Sequence, residues 1–194
     1  MEVRLGTRAT RLDGQHKLVT TDRAVVDPIE LRLPLLDKMY KEYPPGGAPE
    51  ALEGLAEHVK AADAYVIVSG EYNHTVPPAL ANLLDHFLEE YFYKPSAIVC
   101  YSAGAFGGVR AAIALRAMLG ELGMSSIPSI FPIPKVQDSF REDGSAIDEG
   151  YERRIVKFLD ELEWYARALK AARECDGDRE RSNCSAQQSI ASQR

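Results

Sequence analysis

The sequence predicts an α/β fold built around a parallel sheet, and three observations carry that expectation. Short apolar runs alternate with helical patterns from residue 24 onward, which is the sequence sign of βαβ units. Each helical pattern repeats apolar residues at i, i+3, i+4 and i+7, so one face of each helix can cover a sheet. A length of 194 residues, 45% hydrophobic and 27% charged, suits one domain with a sizeable core.

The runs read as strands are AVV at 24–26, AYVIVS at 64–69, AIVCY at 97–101 and SIPSIF at 126–131. Leu52, Leu55, Ala56 and Val59 mark a first helix. A second, expected from Pro77 to Tyr93, carries Leu80, Leu83, Leu84, Phe87, Leu88 and Tyr91 and opens on two prolines whose fixed φ suits a first turn. Leu115, Met118, Leu119 and Leu122 mark a third helix, and Ile155, Phe158, Leu159, Leu162, Ala166 and Leu169 a fourth. Two stretches read as loops: YKEYPPGGAPE at 40–50, and PIPKVQDSFREDGSAIDEG at 132–150 with its Asp143-Gly144 turn signal. From Glu174 to Arg194 there is no aromatic residue and one branched aliphatic, Ile190, too little apolar surface to offset the entropy of ordering. The domain is therefore expected over 1–172, with 1–23 atypical, and 173–194 is expected to be disordered.

Composition excludes several partners. A net charge of −6 argues against nucleic acid or an anionic lipid surface. No apolar run reaches the ~18 residues of a membrane span, and MEVRLGTRATRLDG has no apolar stretch of a secretory signal, so a cytoplasmic protein is expected. Of the three cysteines, Cys100 lies inside an apolar run, where a reduced thiol behaves as a small hydrophobe. Neither a disulfide frame nor a metal site is indicated.

Chemistry is expected in two loops, because ligands of open parallel sheets bind outside the carboxyl ends of the strands. The first loop is Ser69-Gly70-Glu71-Tyr72-Asn73-His74-Thr75; the second is SAGAFGGVR at 102–110. Glycines let backbone pass close to a ligand, and free amides at a helix start can face an electron-rich atom. Two familiar templates fit badly. Cys100 stands where a nucleophile elbow needs glycine, and GAFGG is not G-x-G-x-x-G.

At these loops the chain resembles the NADPH-dependent FMN reductase family of flavodoxin-like proteins. The matching residues are Gly70-Glu71-Tyr72-Asn73, the run Pro77 to Asp85, Lys94-Pro95, and Ser102 with Gly104, Gly107-Gly108 and Arg110. The resemblance spans roughly 24–170. It implies a three-layer, doubly wound parallel sheet, FMN and NAD(P)H as cofactors, and hydride transfer through flavin to a quinone, free flavin or other small acceptor. By the same resemblance Gly70, Glu71, Tyr72 and Asn73 meet the flavin ring, largely through backbone amides, and Ser102, Gly104, Gly107 and Gly108 meet its other edge. Preorganised N–H groups near the edge where charge develops need no side-chain acid or base. Duller roles stay open beside these: Glu71 or Asn73 capping a helix or satisfying turn amides, Tyr72 as a rim aromatic, His74 as an exposed loop residue, Arg110 paired with a carboxylate.

The amino terminus departs from the pattern. The family's phosphate loop follows the first strand, and its nearest counterpart here is Gly6 to Arg11, with Thr7, Arg8 and Arg11 as candidate phosphate ligands. The strand before it would be MEVRL, but Glu2 and Arg4 do not suit an interior strand in the order 2-1-3-4-5. LDGQHKLVTTDR, where a crossover helix belongs, has no apolar face. The first strand and helix thus read as degenerate or truncated, which leaves a second reading: a non-catalytic flavodoxin-like binding or scaffold protein with impaired FMN binding. A homodimer is expected from the wide apolar arc of the Pro77–Tyr93 helix and the aromatic YFY that ends it.

Overall fold

The computed structural model describes the backbone of residues 25–191 together with Arg11–Asp13 and Leu18–Thr20, and side chains over 25–28 and 30–176. In chain order the elements are β1 (Arg11–Asp13), β2 (Leu18–Thr20), α1 (Pro28–Leu31), α2 (Glu50–Ala61), β3 (Tyr65–Gly70), α3 (Pro78–Asp85), β4 (Pro95–Tyr101), α4 (Val109–Glu121), β5 (Ser125–Ile133) and α5 (Gly150–Ala191). Strands β3, β4 and β5 form a parallel sheet in that order. Gly70 lies opposite Tyr101, and Tyr101 opposite Ile133, so the three strands end level.

Period-two alternation builds the layers. Tyr65, Ile67, Ile98 and Cys100 pack with Leu52, Leu55, Leu83, Leu84, Leu115 and Leu119 of α2, α3 and α4. Their strand neighbours Val66, Ala97, Val99, Phe131 and Ile133 pack against Tyr151, Phe158, Leu162 and Ala166 of α5. Helices therefore cover both faces, as the three-layer expectation requires.

Three elements differ from the sequence reading. Val25 and Val26 lie in no strand, and Ala24 is outside the described residues: Val25 is exposed, and Val26 docks against the α2–α4 core just before the short α1. Pro28, which has no N–H to give a sheet ladder, follows closely and opens α1 instead. The helix expected to reach Tyr93 stops at Asp85, and a 3-10 turn follows at Glu89–Tyr91. The Tyr40 amide takes the His86 carbonyl at 2.8 Å, and the His86 ring N–H donates back to the Asn82 carbonyl at 2.7 Å. The apolar period still succeeds, since Leu84, Phe87 and Tyr91 are all buried. Of the surface read for a dimer, those three serve the chain's own core, whereas Phe92 is 36% and Tyr93 71% exposed. Third, the described backbone of α5 runs helical to Ala191, past Leu169 where the apolar period ends. Its Glu, Arg, Ala and Gln residues are good local helix formers even without an apolar stripe.

LDGQHKLVTTDR does not make a crossover helix. Its described backbone, β1 and β2, pairs antiparallel with Leu12 opposite Val19, in a two-stranded unit separate from the parallel sheet. The Leu-Val-Thr run suits strand better than helix. Met1 to Leu5 lies outside the described residues. Among the described residues β3 pairs with β4 alone.

Lys94 shows why a lysine precedes β4. Its ammonium group, buried to 8% exposure, donates to the carbonyls of Val59 and Lys60 at 2.9 Å each and approaches the Tyr65 hydroxyl at 3.3 Å. A cation there satisfies carbonyls that the end of α2 leaves orphaned and complements its dipole. Lys94→Met keeps the stem but strands the Lys60 carbonyl, while Val59 keeps the Tyr65 hydroxyl at 2.7 Å, so it is expected to destabilise the fold by about 1–3 kcal/mol. A urea midpoint that stays at the wild-type value would contradict this role. At the same end of the sheet Asp63 receives Lys170 at 2.7 Å and Arg173 at 3.0 Å, fixing α5 across β3.

Candidate functional site

The site forms where β3, β4 and β5 end. After Gly70 the chain makes a tight hairpin: Tyr72 and Thr75 exchange backbone hydrogen bonds at 3.1 and 2.9 Å, with Asn73 at φ +49° and His74 at φ +64° between them. Two positive φ values match the primed turn of a two-residue hairpin, where Asn is favoured. Asn73 is therefore placed by turn chemistry. Tyr72 is 60% exposed, and His74 is an exposed loop residue.

The second loop leaves β4 at Tyr101. The Ser102 amide donates to the Ile133 carbonyl at 3.2 Å, and its hydroxyl donates to the Gly104 carbonyl at 3.1 Å. The segment after β5 closes over this loop. Val136 donates to the Ser102 carbonyl, Lys135 to that of Gly104, and the Gln137 side chain to that of Ala103. Carbonyls 102–104 are thus engaged, whereas the amides of Ala103, Gly104, Ala105 and Phe106 donate to no acceptor among the described residues. Nothing stands within 4 Å of where a Gly104 Cβ would be. Residues 103–106 are exposed, so these donors are open to solvent.

Gly107 and Gly108 serve packing. At φ +64° and +79°, a Cβ on Gly107 would lie 3.0 Å from the Pro132 side chain, and one on Gly108 would lie 2.7 Å from the Tyr101 backbone N and O. Gly70 is similar, since its Cβ would meet the Tyr101 ring at 3.1 Å. These glycines let the loops lie flat on the strand ends.

Glu71 reaches across to α4. Its carboxylate accepts the Arg110 backbone N–H at 3.2 Å and faces the Arg110 guanidinium at 3.4 Å. The capping and carboxylate-pairing roles left open for these two residues are the ones their side chains adopt. Phe106, which the sequence reading did not single out, is 64% exposed with the Arg110 guanidinium 4.4 Å from its ring centre. The available signal was an aromatic residue between glycines in a ligand-side loop. Thr7 and Arg8 lie outside the described residues, as does the side chain of Arg11, whose backbone starts β1.

Behind the crevice Cys100 is fully buried in β4. Burial, and secondarily the Glu71 charge, push its thiol up to about 11. At pH 8 the thiolate fraction is then on the order of 10⁻³. Native chain treated with iodoacetamide at pH 8 is expected to stay unmodified at Cys100 while the exposed Cys175 reacts. Mass mapping that finds Cys100 alkylated at a comparable rate would contradict the buried placement.

The model of the NADPH-dependent FMN reductase family matches residues 11–138. The chain belongs to that family. An NAD(P)H-dependent FMN reductase of Pseudomonas aeruginosa is 32% identical over 130 residues, covering 64% of this chain and 70% of that protein. An Escherichia coli quinone reductase is 39% identical over 77 residues, 38% of this chain and 41% of that protein. Among solved structures, the Paracoccus denitrificans flavoenzyme FerB, an NAD(P)H:(acceptor) oxidoreductase, aligns with a TM-score of 0.57 at 24% identity, covering 64% of this chain and 71% of that one. This last likeness shows the flavodoxin-like fold.

The two loops of this FMN reductase family member fit a flavin ring. They offer unengaged backbone donors at 103–106, an open approach over Gly104 and an exposed aromatic on each loop, Tyr72 and Phe106. No described residue fits the phosphate. The positive end of α4 is already taken by the Glu71 carboxylate.

Proposed function

We infer that the chain is an FMN-dependent NAD(P)H oxidoreductase acting on a quinone, free flavin or other small acceptor, with its ring site between the hairpin loop and the glycine loop. The observation that carries this is the row of free amides at 103–106, held at the end of β4 by Ser102 and by the segment after β5. Held there, FMN would supply the hydride-transfer chemistry between NAD(P)H and the acceptor. The chain's part is to present fixed N–H groups where negative charge develops; loss of one such donor typically costs ~10²–10³ in rate. We propose Gly70, Glu71, Tyr72, Asn73, Ser102 and Gly104 as the ring-side residues, Glu71 through its backbone, with Gly107 and Gly108 serving the site by seating the loop on the strand ends. Thr7, Arg8 and Arg11 are proposed for the phosphate.

The test is purification followed by spectra in the flavin bands, FMN titration, and NADH or NADPH oxidation with a benzoquinone acceptor. FMN-dependent turnover supports the reading, and a chain that neither binds FMN nor turns over refutes it. The antiparallel β1–β2 unit favours one other reading, a flavodoxin-like scaffold that binds flavin weakly, because it leaves β3 with one described neighbour.

A homodimer is part of the proposal. Its support is the exposed Phe92 and Tyr93 after α3, together with Ile113 on α4, which is 71% exposed. Large apolar side chains left in solvent mark an interaction surface. Sedimentation at micromolar concentration should give twice the chain mass, and a monomer would refute it. Cytoplasmic location is proposed as well. Cys100 and Cys175 are both unbridged, as a reducing compartment allows, and among the described residues no helix is long and apolar enough to cross a membrane.

A further inference from the structure

Helix α4 begins without a cap of its own. Gly108 stands at its N-cap position at φ +79° with no side chain to offer, and a Cβ there would be only 2.7 Å from the Tyr101 backbone. The first-turn amides of a helix are orphan donors that need an acceptor from elsewhere. Glu71, 39 residues earlier in sequence, supplies it through the Arg110 N–H at 3.2 Å. The other carboxylate oxygen faces the Arg110 guanidinium at 3.4 Å, and the Glu71 side chain is 10% exposed against 40% for Arg110. A carboxylate at this end of a helix is also favoured by the dipole.

We propose that Glu71 is a positioning residue that latches the hairpin loop to the glycine loop, so that the two sides of the crevice hold one spacing. The carboxylate acts as the remote N-cap of α4 and leaves amides 103–106 pointing into the open. Arg110 completes the latch, gripped by Glu71 on one side and lying over the exposed Phe106 ring on the other. Only the consequence for FMN rests on the flavin reading; the latch itself is a property of the free chain.

The experiment is hydrogen exchange followed by mass spectrometry on the full chain without ligand, for wild type, Glu71→Ala, Glu71→Gln and Glu71→Asp. Within peptides covering 103–112, the amides of the first turn of α4 from Arg110 on are expected to exchange about tenfold faster in the alanine variant, the scale of one lost charge-assisted hydrogen bond. Glutamine keeps an oxygen that accepts the Arg110 N–H and is expected to stay within about threefold of wild type. Aspartate keeps the charge on a stem one carbon shorter and is expected to behave like alanine, so it serves if the alanine variant does not fold. Peptides from 150–170 of α5 should not change. FMN titration is then expected to show at least tenfold weaker binding for alanine, rescued by glutamine, with the visible circular dichroism of bound flavin altered in the first and restored in the second. Unchanged exchange at 103–112 in the alanine and aspartate variants overturns the latch. The expected exchange pattern in a wild-type chain that binds no FMN supports the latch and refutes the flavin reading, which separates the two.

Discussion

Replacing Gly107 and Gly108 together by valine is expected to abolish FMN binding, with affinity falling by more than ~100-fold. The backbone there sits at φ +64° and +79°, a region in which a β-branched residue is a genuine outlier, costing about 1–3 kcal/mol per position. Space is refused as well. The Gly108 Cβ would be 2.7 Å from both N and O of Tyr101, and the Gly107 Cβ 3.1 Å from the Pro134 nitrogen. These neighbours belong to β4 and to the backbone just after β5, so they cannot swing aside as a flexible side-chain tip would. The loop must lift instead, taking amides 103–106 with it, and a displacement near 1 Å is enough to cost ~10²-fold in a site that depends on alignment. Gly104→Ala is the discriminating companion. Nothing lies within 4 Å of its Cβ position, so its urea midpoint should match wild type while FMN affinity falls, because only a ligand lying over the loop would meet the new methyl. If the double valine variant binds FMN as tightly as wild type, the loop is not in the site.

The glycine loop also shows what the sequence made legible and what it hid. Its position after an apolar strand and before a periodic helix placed it correctly at the carboxyl end of β4, because local patterning and parallel-sheet topology agree there. Which surface each glycine serves was hidden. Gly107 and Gly108 look like ligand glycines in one dimension, yet their contacts are with Tyr101, Pro132 and Pro134, which depends on the register between β4 and β5. Gly104 is the one left facing open space. Glu71 is a similar case: a helix cap from 39 residues away has no signature at capping-box spacing. The early end of α3 was missed because the i, i+3, i+4 period runs on through Phe87 and Tyr91. Those residues reach the core from a 3-10 turn while the His86 carbonyl is given to Tyr40. Lys94 was seen only as part of a motif, and its reason lies in the end of α2.

The ratio of FMN to riboflavin affinity is expected to lie near one, within about tenfold. In the strand order 2-1-3-4-5 the first strand sits beside the third and aims the phosphate loop at the crevice. Here the described β1 and β2 pair with each other in a separate antiparallel unit, and among the described residues the edge of β3 away from β4 carries no strand. The other place for an anion, the start of α4, already holds the Glu71 carboxylate, which would repel a phosphate. Charge-assisted phosphate bonds contribute about 1.5–3 kcal/mol each, so two missing bonds weaken FMN by roughly 10²–10⁴. Riboflavin has the same ring and no phosphate, so it loses nothing by their absence and measures the ring site alone. Titrating both ligands against the purified chain, with flavin fluorescence as the readout, gives the ratio directly. A ratio above ~10², abolished by Arg8→Ala with Arg11→Ala while riboflavin affinity is unchanged, would show that Thr7 to Arg11 build a working phosphate loop. It would also show that the edge of β3 is completed by chain from before residue 11.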